Sequence, residues 1–134
     1  MGMLILTLVT LIMALSVRVL LTLPWEGYIF SLKNFLHLSY VYGVLLLGFA
    51  SIYTILVIEG IEAAVPVEEE GFWPLFLLML YFSAMMLFSV GNGEIVPVGA
   101  GRLIAALSAF IGHILPVTVV WTIIAKSDEQ TFEK

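Results

Sequence analysis

The segment Phe88-Ser89-Val90-Gly91-Asn92-Gly93-Glu94-Ile95-Val96-Pro97 is glycine-rich and polar, and it separates two of the most apolar parts of the chain. Lipid offers backbone N–H and C=O groups no partners. Irregular backbone therefore survives at membrane depth only when it is buried in protein or lines a water-filled path. If its flanks lie in a bilayer, this segment is a candidate ion pathway.

Composition puts the flanks there. Of the 134 residues, 62% are hydrophobic and only 11% charged, with a mean hydropathy of +1.15. Soluble domains carry about 25% charged residues. The sequence thus reads as an integral membrane protein in contact with the lipid bilayer. A chain this short supplies too few spans to enclose a water path alone, so transport requires several copies around an axis. Cysteine is absent, which excludes disulfides, thiolate metal sites and thiol catalysis. A net charge of -5 with five scattered Lys and Arg residues argues against a nucleic-acid partner.

Residues 3–23, 38–58 and 103–125 each reach the roughly 20 residues that a span needs. Arg18 is the only charge in the first, and His113 the only titratable group in the last. Residues 72–90 are nearly as long. They lead directly into Gly91, Asn92, Gly93 and Glu94, however, and a short loop separates Glu94 from Arg102 at the mouth of the last span. This pattern predicts a re-entrant helix that enters part-way and returns to the same side as an extended loop. The expected fold is all-α: three transmembrane helices plus a re-entrant pore helix and filter loop.

The first segment lacks a basic n-region and an A-x-A cleavage site, so it reads as a retained span and not as a signal peptide. Basic residues favour the cytoplasmic side. Arg18, Lys33, His37, Lys126 and Lys134 then put the N-terminus outside and the C-terminus in the cytoplasm, in a membrane expected to be a prokaryotic plasma membrane. The outward loop carries Glu59, Glu62, Glu68, Glu69 and Glu70, and Glu94 adds a carboxylate at the hairpin. Single-sign charge beside a narrow opening concentrates cations. The same glutamates also solvate a loop and favour the N-terminus of the next helix, whose first turn tolerates Pro74. Residues 25–36, with Trp25, Tyr28, Phe30 and Phe35, suit an interfacial connector.

Ser89-Val90-Gly91-Asn92-Gly93-Glu94, followed by Ile95-Val96-Pro97 and Gly101-Arg102-Leu103-Ile104, resembles the pore of tetrameric potassium channels and their less selective relatives. Their filter commonly reads Thr-Val-Gly-Tyr-Gly-Asp. The resemblance covers residues 38–125 as outer helix, pore helix, filter and inner helix. It implies a homotetramer around a central pore and divides the chain into an extra N-terminal helix with its connector (1–37), a pore domain (38–126) and a short cytoplasmic tail (127–134). It further implies that K+ or Na+ is held by the carbonyls of Val90 and Gly91 and the hydroxyl of Ser89, in rings that four subunits complete. Gly91 and Gly93 suit the backbone of such a filter, Glu94 stands at its outer mouth, and no cofactor beyond the permeating ion is implied.

Two departures from the family pattern carry a prediction. Asn92 replaces the tyrosine, and Tyr81 and Phe82 stand where selective members often carry a tryptophan pair that braces it. Without that cuff the upper filter widens into a vestibule, so weak discrimination between Na+ and K+ is expected.

In the last span, Pro116 has no N–H for the carbonyl of Gly112, and its ring crowds that carbonyl. The pair marks a kink. The resemblance assigns Gly112 the role of a gating hinge, with close helix packing as the alternative. His113 beside it is an intramembrane titratable group and a candidate pH sensor. Arg18, a single arginine, reads as a topological anchor. No nucleophile–base pair or metal cluster can be assembled, so the chain does not read as an enzyme. The competing reading is a non-conducting four-span scaffold or accessory subunit in which residues 72–90 cross fully. A transporter lacks its usual inverted repeat here. Ligand gating, if present, would require the membrane region itself or a separate regulatory subunit.

Overall fold

The computed structural model describes residues 2–22, 32–68, 70–91 and 93–132. The elements run α1 (Gly2–Thr22), α2 (Leu32–Ile58), β1 (Ala64–Val65), α3 (Phe72–Leu87), β2 (Val96–Pro97) and α4 (Gly101–Phe132). Asn92, Glu69 and residues 25–31 of the expected connector lie outside the described residues.

Helices are the form these apolar runs must take in lipid, because each helix satisfies its own backbone. Several of their hydroxyls follow the same rule, buried Ser83 of α3 being an exception with no hydrogen-bond partner among the described residues. Thr7, Thr10, Ser51, Thr54, Ser108 and Thr122 each donate to a carbonyl three or four residues earlier in their own helix.

Among the described residues, three helices are long and apolar enough to cross a membrane: α1, α2 and the Gly101–Thr122 part of α4. The 16 residues of α3 measure about 24 Å at 1.5 Å per residue, short of a hydrocarbon core of roughly 30 Å. The second helix begins at Leu32, upstream of the expected start at Leu38, because neither Pro nor Gly stands between Leu32 and Tyr42 to stop it. The boundary drawn at residues 37 and 38 therefore falls inside α2. At the other end α4 continues to Phe132, so most of the expected tail is helical.

Two buried clusters organise the packing. Met13 and Leu20 of α1 meet Val41, Leu45 and Phe49 of α2, with Leu115 and Val119 of α4. Tyr53 of α2 meets Leu75, Met79 and Phe82 of α3, together with Ala63 and Ile95. An apolar groove of about 900 Å³ is left between α1, α2 and α4, with Arg18 among its lining residues.

The connecting loops are joined as well. β1 pairs antiparallel with β2, Ala64 opposite Pro97 and Val65 opposite Val96. The N–H of Val98 extends the ribbon by donating to the carbonyl of Ala63 at 3.0 Å. The chain on its way into α3 and the chain leaving for α4 thus meet at one place.

Candidate ion pathway

The pathway segment starts where α3 ends. Phe88 caps the helix, and Ser89 follows with φ +55°. The N–H of Ser89 donates to Met86 (3.1 Å) and that of Val90 to Met85 (3.0 Å). These are the two bonds of a Schellman end, a motif usually completed by glycine. A serine takes the left-handed position here, at some cost to a residue with a Cβ. Gly91 follows at φ +81° with its N–H on Met85. Open space surrounds the place where its Cβ would stand, so backbone conformation and not crowding calls for glycine.

Two buried side chains pin the segment. Leu87 is 1% exposed and Ile95 3%. Between them Phe88, Ser89, Val90, Gly91, Gly93 and Glu94 are all exposed, Val90 to 70%. Among the described residues, no hydrogen bond ends on the carbonyls of Ser89, Val90 or Gly91. Nor do the described residues hold a cluster of three His, Asp or Glu able to bind a metal ion. The exposed polar groups of the described segment are thus peptide oxygens, the Ser89 hydroxyl and the Glu94 carboxylate.

Its depth follows from α4. Leu87 lies against Gly112 so closely that its carbonyl occupies the place of a Cβ on that glycine. Gly112 lies eleven residues into α4, roughly 16 Å from its start. The nine residues from Leu87 to Val96 can span about 30 Å when extended, ample to climb back to the ribbon.

Two tyrosines of α2 hold this geometry. Near the ribbon, the Tyr53 hydroxyl donates to the carbonyl of Gly101 at 3.0 Å. Its ring meets Phe82 edge-on at 5.0 Å. Gly101 itself is pressed against the Ala63 carbonyl, with no room for a Cβ. Eleven residues deeper on both helices the arrangement recurs. The Tyr42 hydroxyl donates to the carbonyl of Gly112, and its ring stacks on Phe88 at 5.6 Å and 5°. Eleven residues are about three turns, so both tyrosines share one face of α2 and both glycines one face of α4. We call these contacts the outer and inner rungs.

The residues singled out from sequence fall as follows. Ser89, Val90, Gly91, Gly93 and Glu94 form one exposed run, while Asn92 lies outside the described residues. Gly112, the expected hinge, is buried at a helix contact. Pro116 is inside α4, and the helix donor that it withholds from Gly112 is replaced by Tyr42. His113 is exposed on the same helix. Phe82 packs against Tyr53. Arg102 at the start of α4 donates from Nε to the Pro97 carbonyl at 3.4 Å. Sequence reasoning missed Tyr42 and Tyr53. The available signal was a hydroxyl within an uncharged span, which must find an acceptor away from water, at a spacing repeated by Gly101 and Gly112.

This arrangement defines a class. A family model described as an ion channel matches residues 40–127, which cover α3, the exposed segment and most of α2 and α4. The chain belongs to this ion channel family, of the two-transmembrane potassium-channel pore type, and is an integral membrane protein. Among individual proteins it is similar to Protein LctB of Geobacillus stearothermophilus, 39% identical over 92 residues, covering 66% of this chain and 69% of the relative. It is also similar to Protein LctB of Bacillus caldotenax, 40% identical over 82 residues, covering 59% of this chain and 61% of the relative. No solved structure matches it. Helix α1 lies outside the family match.

Proposed function

We propose that this chain is the subunit of a homotetrameric channel that conducts K+ and Na+ passively through residues 89–93. In this reading α3 is a re-entrant pore helix. The observation that carries the proposal is the exposed run between Leu87 and Ile95, whose Ser89, Val90 and Gly91 carbonyls accept no hydrogen bond among the described residues. Free carbonyls at membrane depth need a partner. Four copies around an axis turn them into rings that replace the hydration shell of a cation.

The short α3 and the loop ribbon support the re-entrant course. A helix of about 24 Å whose far end lies beside Gly112, followed by a strand paired to Ala64–Val65, enters and leaves on one side. The alternative, a non-conducting scaffold with four full spans, asks α3 to cross a core thicker than itself. Tags at the two termini separate these readings in intact cells. Three spans leave them on opposite sides of the membrane, with the N-terminus outside; four would leave them on the same side.

The weak K+ over Na+ preference rests on Asn92 in place of tyrosine. Phe82 is committed to Tyr53, which supports the loss of the aromatic brace. Reversal potentials of the purified protein in liposomes test this, and a strong potassium preference would refute the vestibule. Gly112 and Pro116 are proposed as the gating bend. His113 is proposed as a pH-responsive group, and a cation flux that stays constant between about pH 5 and 8 would remove it. The organisms of the two relatives support a prokaryotic plasma membrane.

A further inference from the structure

We propose that Tyr42 is a positioning residue that ties the bend of α4 to the base of the ion pathway. Three observations converge on it. Pro116 has no N–H, so the Gly112 carbonyl lacks its regular helix donor four residues on. A carbonyl left bare in an apolar span has no water to turn to, and the Tyr42 hydroxyl, reaching across from α2, donates to it. The same tyrosine ring lies flat on Phe88, the residue directly before Ser89. One side chain thus touches the weakest turn of the inner helix and the first turn of the pathway.

The outer rung shows why this contact is special. There the Tyr53 hydroxyl reaches Gly101, whose helix donor would come from residue 105, an alanine with an ordinary N–H. Tyr53 adds a bond to a carbonyl that the helix can serve by itself. Tyr42 supplies the helical donor that its carbonyl lacks. Movement of α4 about Gly112 away from α2 must break this bond or carry Tyr42 along, and in the second case the ring shifts against Phe88. The bend and the filter base are thereby coupled.

The inference rests on the channel reading, and the test keeps the two apart. Single-channel recordings are made on the full-length wild type, Tyr42→Phe, Pro116→Ala and the double variant, with Tyr53→Phe as the control. Tyr42→Phe keeps the ring on Phe88 and removes only the hydroxyl. We expect it to shift the open–closed equilibrium about three- to twenty-fold, the range of one interhelical hydrogen bond in a membrane. Unit conductance and the K+ to Na+ preference stay unchanged. Pro116→Ala restores the helix donor, so in that background Tyr42→Phe loses most of its effect. Tyr53→Phe changes open probability less than twofold. A Tyr42→Phe channel gating like the wild type, or an effect equally large with and without Pro116, overturns the coupling while the channel reading stands. No cation current from the wild-type protein overturns both.

Discussion

The two rungs between α2 and α4 use the same parts and hold for different reasons. Each has a tyrosine hydroxyl on a glycine carbonyl, a phenylalanine against the tyrosine ring, and a glycine pressed onto a neighbouring carbonyl. The outer rung is reinforced by the β1–β2 ribbon and the Val98 to Ala63 bond. Among the described residues the inner rung has no such ribbon, and Pro116 has taken away its regular helix donor. Below it Val117, Val120, Trp121 and Ile124 are exposed. On the proposed channel reading, the fixed end anchors the ribbon, and the releasable end lets the bend of α4 act on the filter base through Tyr42 and Phe88.

The largest effect should come from the outer rung. Gly101→Val puts a branched side chain where the Ala63 carbonyl lies, and neither backbone can give way. A destabilisation of about 3 kcal/mol or more is expected, read as loss of the assembled peak or a collapsed melting temperature in detergent. A wild-type melting curve would mean that the ribbon end is not fixed.

Gly112→Ala comes next and separates packing from hinging. Its Cβ meets the Leu87 carbonyl, so a loss of about 1 to 3 kcal/mol is expected, together with altered open probability. Altered gating at full thermal stability would leave the hinge and remove the packing role. Tyr53→Phe should cost less, about 1 kcal/mol, since one interhelical bond is lost and the ring stays on Phe82. Melting measurements that place it above Gly112→Ala would reverse the ranking of the two glycine contacts. The smallest change is expected at Gly48→Ala, between α1 and α2. The atoms in its way belong to the flexible Met13 side chain, which can move aside. Less than about 1 kcal/mol should be lost. A large drop would show that the buried Met13 side chain is held too tightly to move aside.

Much of this fold was legible in the sequence, because charge-free runs of about 20 residues have one outcome in lipid. The helix starting at Phe72 was legible too, although it was expected to run to Val90 and ends at Leu87. The start of α2 was not. Lys33, Asn34 and His37 read as interfacial, yet nothing in that run breaks a helix, and the helix continued to Leu32. The motif 88–94 was visible, while the anchoring of its ends by Leu87 and Ile95 was not, since both look like any apolar residue. The rungs escaped notice for a related reason. Pro116 announced a bare carbonyl on Gly112, but its partner stands 70 residues away in the chain, and only the packing of α2 on α4 brings Tyr42 to it.

The central claim is that four copies of the run around Val90 and Gly91 carry cations. Purified protein in a planar bilayer, with K+ on one side and Na+ on the other, tests it most directly. The account predicts a reversal potential close to zero in this arrangement and, under a KCl gradient, one displaced toward the K+ equilibrium potential. No current, or a current carried by anions, would contradict it.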